Sequence, residues 1–368
     1  MRDPYRCSGH RDQVCTAHRQ ICLAYFEARN LSRKDRYFTD CDLTTNTASW
    51  VGGKRRTLIA TALLVALSYV AVAVVTDVDR LTDALGRLGW LGCIAVLGLS
   101  AVNYLLRFYR WKNFLSRLGR SLPIWRHLLY YLGAFAFTIS PAKAGEAVRS
   151  IYLRDHGVTY AESIAAFFVE RLLDLFAMVI LASLVLFDHP AYRLLVVVSL
   201  LLVIFITVGV CQSSLPRRIE QFSAGHSGRI SRICGAFGNL LRSSRLLLHP
   251  RLLISGIIIG LLAWGAEAFG FGVVCRGLHI NGGVWSFCGI YGVAVLAGAA
   301  AFFLPAGIGG MELVMTTLLV ERGSALSVAI IATLLCRLAT LWFAVLLGVA
   351  AASVVELSDH KMRVRVIP

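Results

Sequence analysis

Charge is scarce in this chain. Of its 368 residues only 16% are Asp, Glu, Lys or Arg, while 57% are hydrophobic. That balance excludes an ordinary water-soluble domain, in which roughly a quarter of residues are charged. Acidic residues are scarcer still, 21 against 37 basic ones, giving a formal charge of +16. An excess of this size points to nucleic acid only when it gathers on one soluble face. Here the basic residues fall in loops between apolar runs, the pattern of membrane topology, and no nucleic-acid partner is expected. A Gly-x-x-x-x-Gly-Lys loop is missing too, which argues against nucleotide-driven pumping by this chain. Its ten cysteines lack the paired short intervals of a structural zinc site. Cys93, Cys211, Cys275, Cys288 and Cys336 lie in or beside apolar runs, where a thiol acts as a small hydrophobe. Neither a metal, a cofactor nor a disulfide framework is expected.

What the chain does have is apolar length. A bilayer core takes about 20 apolar residues per helix, and Thr57–Val75, Leu88–Leu106, Ala161–Phe187, Ala191–Cys211, Leu252–Cys275 and Ala325–Val355 each supply about that or more. The fold class expected is an all-α polytopic membrane protein of about six full spans plus two re-entrant hairpins in an inverted repeat. Residues 1–50 differ in kind, mixing Cys7, Cys15, Cys22, Cys41, His10 and His18 in a polar, aperiodic stretch. They read as a disordered leader or as a mis-assigned start, with translation beginning at Val51. The integral membrane domain is expected at 51–358, with halves at about 88–187 and 252–355, and a cytoplasmic tail at 359–368.

Lys and Arg near helix ends mark the cytoplasmic side. A consistent threading places twenty-two of them inside, among them Arg107, Arg110, Lys143, Arg149 and Arg154. It leaves Arg80, Arg87, Arg193, Arg276 and Arg322 outside. Two apolar segments are too short or too interrupted to span. Leu128–Ile139 runs into Ser140-Pro141-Ala142-Lys143-Ala144-Gly145-Glu146, and Val284–Leu319 is broken at Leu304-Pro305-Ala306-Gly307-Ile308-Gly309-Gly310-Met311-Glu312. Each suits a hairpin that enters and leaves on one side, the first from the cytoplasm and the second from outside. Ser140 before Pro141 reads as a helix N-cap whose free N–H groups favour an anion. Pro305 with Gly307, Gly309 and Gly310 offers a comparable start.

Glu146 to Arg171 and Glu312 to Arg337 both span 25 residues, each pair following a break and ending in a long apolar helix. The odd helix Ala191–Cys211 between the halves inverts the second, as in many secondary transporters. Ionised residues at membrane depth face a bundle interior or a watery cavity. The candidate substrate-binding set is therefore Arg171, Arg337, Glu146, Glu312, Glu170, Asp174, Lys143 and Arg149, with hairpin breaks at Pro141, Gly145, Pro305, Gly307, Gly309 and Gly310. Glu170, Arg171 and Asp174 share one helix side and equally suit an internal ion pair that locks packing. Glu267 needs a partner that the sequence does not identify. Trp90, Trp111, Trp125 and Trp285 read as interfacial anchors.

Four motifs in order, Asn103-Tyr-Leu-Leu-Arg107-Phe-Tyr-Arg110-Trp111, Pro141-Ala-Lys-Ala-Gly145-Glu146-Ala-Val-Arg149, Glu170-Arg171-Leu-Leu-Asp174 and Pro305-Ala-Gly307-Ile-Gly309-Gly310-Met-Glu312, resemble the flippase-like membrane region of lysylphosphatidylglycerol synthases. The match runs from about Thr57 to Val355. It implies a multi-pass protein of the bacterial plasma membrane, C-terminus cytoplasmic. Such a protein moves, or helps move, a polar-headgroup lipid between leaflets. The synthases' aminoacyl-transfer domain would be lacking, so no catalytic residue is expected. The alternative is an enzyme or accessory in polyprenyl-phosphate-linked glycan or lipid modification. The partners expected are membrane lipids and a lipid- or glycan-modifying enzyme.

Overall fold

The computed structural model describes residues 78–140, 144–187, 190–212, 219, 229–301, 304 and 307–365. The expected leader, the span Thr57–Val75, and Pro141, Lys143 and Pro305 lie outside them. Every element among the described residues is helical. In chain order these are α1 (Val78–Arg117), α2 (Ile124–Gly133), α3 (Arg149–Arg154), α4 (Tyr160–Ser183), α5 (Arg193–Cys211), α6 (Arg229–Leu247), α7 (Pro250–Gly277), α8 (Val284–Ala300), α9 (Gly310–Glu321), α10 (Leu326–Arg337) and α11 (Phe343–Arg365).

Among the described residues four stretches are long and apolar enough to cross a membrane: Thr82–Arg117, Pro190–Cys211, Pro250–Gly277 and Leu326–Ser358. The 24-residue α4 also has the length, about 1.5 Å per residue, but carries Glu170, Arg171 and Asp174 in its middle. It is the most enclosed of the long helices, packed by α7, α8 and α6.

Several boundaries differ from the sequence reading. The outer loop expected before Leu88 is helical from Val78. The expected boundary survives only as a kink at Gly89, whose φ of 68° a residue with a Cβ seldom adopts. At its other end α1 continues to Arg117, so Arg107 and Arg110 are helix residues buried in the bundle and not cations of a cytoplasmic loop. Trp111, expected at the interface, is 1% exposed, whereas Trp90, Trp125 and Trp285 are widely exposed. The basic connection after Cys211 contains α6, a 19-residue helix. The last span is not one regular helix: a π-turn at Leu338–Trp342 separates α10 from α11.

Local chemistry sets the ends. Thr159 and Glu162 close a capping box at the start of α4, with the Thr159 N–H donating to Glu162 Oε2 at 2.8 Å and the Glu162 N–H to Thr159 Oγ1 at 3.2 Å. Pro250 starts α7 at the first helical position, where its missing N–H costs nothing. Around the first break the chain runs as 3-10 turns, Ala134–Phe137 and Ala144–Val148. Around the second, α8 and α9 pack against each other. Two large apolar clusters form the core. One joins α7, α8, α9 and α10 to the later half of α4, and the other joins α1, α2 and α6 to its first half.

Candidate functional site

The midpoint of α4 presents Glu170, Arg171 and Asp174 to its neighbours. Glu170 is fully buried and accepts from Arg149 Nη2 at 2.5 Å, the Tyr131 hydroxyl at 2.7 Å and Arg107 Nη2 at 3.4 Å. Asp174 accepts from Arg110 Nη2 at 2.5 Å and lies 3.3 Å from Arg171 Nη2 and 3.7 Å from Arg107 Nη2. Arg149 is held flat beneath Trp111, 3.7 Å from the ring centre, with Tyr131 and Phe167 also close. Such stacking suits a guanidinium, which is weakly hydrated and planar. The internal ion-pair reading of Glu170 and Asp174 therefore holds, but their strongest partners come from α1 and α3 rather than from their own helix.

Both 25-residue Glu–Arg pairs close in space. Arg171 Nη2 lies 3.5 Å from Glu146 Oε2, whose other oxygen accepts from the Thr138 hydroxyl at 2.7 Å. Arg337 Nε donates to Glu312 Oε1 at 2.6 Å, and its Nη1 approaches Met311 Sδ at 3.1 Å. Glu312 also serves the backbone, its Oε2 accepting the Gly309 N–H at 2.7 Å and so capping α9. Glycine has no side chain, so only this half of a capping box forms. At the first break the Gly145 N–H donates to Ser140 Oγ at 2.6 Å. The Gly145 and Gly309 N–H groups at the two breaks are thus already satisfied internally.

A cavity of about 260 Å³ lies where the two apolar clusters meet. Arg171, Arg337, Glu146 and Asp174 line it, with Gly307 of the second break. Glu170 and Glu312 stand behind that wall as partners of the lining arginines, and Arg149 stands behind it as a partner of Glu170. Gly145, Gly309 and Gly310 shape the breaks without lining the cavity. Arg171 keeps 22% of its side chain exposed, and neither its Nε nor its Nη2 makes a hydrogen bond.

Other wall residues were not in the candidate set read from the sequence. Arg107 lies over Trp264 at 5.2 Å and near Phe135 at 5.8 Å. Glu267 accepts from the Tyr291 hydroxyl at 2.6 Å, which supplies the partner that its apolar helix leaves open. Tyr104 donates to the Thr340 carbonyl, inside the π-turn that begins one residue after Arg337. A π-turn widens one helix face and often marks a functional site; here Arg337, Thr340, Leu341 and Ala344 all reach the wall. One signal for Arg107 and Arg110 was present in the sequence: with Asn103 and Trp111 they recur at three- and four-residue spacing, on one side of a helix.

A comparison with curated proteins finds no match. A family model described as the lysylphosphatidylglycerol synthase TM region matches residues 59–348, well over half of the chain and every residue that lines the cavity. With its apolar helices and its charge-lined interior, the chain belongs to the family of the lysylphosphatidylglycerol synthase transmembrane region.

Proposed function

We propose that this protein translocates a polar-headgroup lipid between leaflets, or assists that step, with Arg171 and Arg337 receiving the headgroup phosphate. The observation that carries this reading is that the two equally spaced Glu–Arg pairs both bring their arginine to one cavity. Guanidinium groups suit a phosphate because their planar donors make two parallel, charge-assisted hydrogen bonds. Before a headgroup arrives Glu146 and Glu312 neutralise them, and a phosphate takes over that role as the carboxylates give way. A cavity of about 260 Å³ holds a headgroup and not its acyl chains, which stay in the bilayer. The two breaks form re-entrant hairpins of an inverted repeat and expose the site alternately. Six spans complete the fold in a bacterial plasma membrane, with the C-terminus cytoplasmic. The role is transport rather than catalysis, and the partners are membrane lipids and the enzymes that modify them.

Reconstitution into liposomes with a headgroup-labelled phospholipid tests it. Losing one charge-assisted hydrogen bond is worth about 1.5–3 kcal/mol, so Arg171→Ala or Arg337→Ala should slow transbilayer movement by about tenfold or more. The double variant should fall to the rate of protein-free liposomes. Movement at the native rate in a folded double variant overturns the reading.

A further inference from the structure

The helix α6 stands apart from the cavity, and its chemistry is unlike that of the spans. It lies in the connection between the stretches Pro190–Cys211 and Pro250–Gly277, both long and apolar enough to cross a membrane, so it occupies one membrane face. Its 19 residues contain Arg229, Arg232, Arg242 and Arg245 and no acidic residue. Ile233, Phe237, Leu240, Ser244 and Leu247 recur at four- and three-residue intervals and form one stripe.

That stripe is covered only at one end. Ser244 and Leu247 are 0% exposed, with Leu247 in the cluster that includes Val169, Leu172 and Leu173 of α4. Exposure then climbs along the same stripe to 48% at Phe237 and 68% at Ile233. Arg242 and Arg245 are exposed on the other side of the helix. The helix is thus docked at its C-terminal end, while its N-terminal half carries large apolar side chains beyond the protein surface. A partner for this helix must accept the apolar side chains of its N-terminal half and suit the exposed arginines Arg242 and Arg245 towards its C-terminal end.

We infer that α6 lies in the headgroup plane of an anionic leaflet, with Ile233 and Phe237 entering the acyl boundary and Arg242 and Arg245 contacting acidic phospholipid. A leaflet meets both requirements at once, and it is already present on each side of α6 because the flanking helices enter it. A second copy of this chain would have to bring acidic residues to match, and these number only 21 against 37 basic ones.

Hydrogen-exchange mass spectrometry on the full chain in nanodiscs tests the assignment. Two bilayers are compared, phosphatidylcholine alone and phosphatidylcholine with about one third phosphatidylglycerol. The amides of residues 229–240 should exchange on the order of tenfold more slowly in the anionic bilayer, as two arginines near such a surface predict. Arg242→Gln with Arg245→Gln should abolish the difference between the bilayers. Ile233→Ser with Phe237→Ser should lower protection in both. Equal protection of the native chain in the two bilayers overturns the inference, and that comparison needs no variant to fold. Protection that appears only when two copies share a nanodisc overturns it in favour of a dimer contact.

Discussion

Glu170 has no exposed surface and faces Arg107, Arg110, Arg149 and Arg171. A carboxylate so placed has exchanged water for guanidinium groups, and the exchange balances only while every member stays charged. Glu170→Gln would keep the shape and strand the arginines, so it should cost about 3–5 kcal/mol of stability. Unfolding in detergent, followed by temperature or denaturant, measures this. Arg149→Lys should also destabilise, because an ammonium cannot lie flat under Trp111 and still reach Glu170. Glu312 offers a different experiment, being both the cap of α9 and the counter-ion of Arg337. Gln can still accept the Gly309 N–H but cannot neutralise Arg337. Glu312→Gln should therefore hold an anionic lipid more tightly and release it more slowly. The expected readout is stronger retention of labelled phospholipid through gel filtration together with slower transbilayer movement in liposomes.

At the scale of elements, α8 meets the end of α4 and the 3-10 turn that follows it, Leu184–Phe187, through glycine. A Cβ at Gly292 would come within 2.5 Å of the Ala182 nitrogen, and one at Gly289 equally close to that of Val185. Backbones this near pack without a hydrophobic driving force, by close contact alone. Gly292→Val should force the helices apart at a cost of about 1–3 kcal/mol, seen as a lowered unfolding midpoint. Gly256→Ala instead presses on the flexible end of Leu173, with Arg110 at ordinary contact distance, and should cost less. Which elements exist was largely legible in the sequence, because apolar length and Pro/Gly interruption are strong local signals. The ends and the partners were not. The α1 extension was hidden by the aspartates before Leu88, which resemble loop residues until a kink at Gly89 allows the helix to turn. The helix α6 escaped a reading based on apolar length, since its apolar residues form only a stripe. Equal spacing suggested that Glu146 and Glu312 would serve Arg171 and Arg337. Nothing local to Glu170 or Glu267 named Arg149 or Tyr291, because those contacts depend on how helices far apart in sequence meet.

For the whole molecule, Arg107, Arg110 and Arg149 are committed to the buried network and no longer count as cytoplasmic markers. Removing them leaves nineteen Lys and Arg on the expected inner side against five on the expected outer one, so the charge bias still favours the orientation expected from the sequence. The proposed orientation and the proposed inverted repeat together make a prediction that neither makes alone: the two breaks face opposite compartments. Ala147 and Ile308 sit beside the two breaks and are partly exposed. In a cysteine-free background, Ala147→Cys should react with a membrane-impermeant maleimide only from the cytoplasmic side, and Ile308→Cys only from the other. Arg322→Cys on the expected outer face calibrates the assay. Alternation adds a further expectation, because one cavity that opens to either side cannot be open to both. Loading the liposomes with excess anionic phospholipid in one leaflet should raise the labelling of one cysteine while lowering that of the other. Labelling of Ala147→Cys and Ile308→Cys from the same side would remove the inverted repeat and leave the shared cavity to a one-sided binding role.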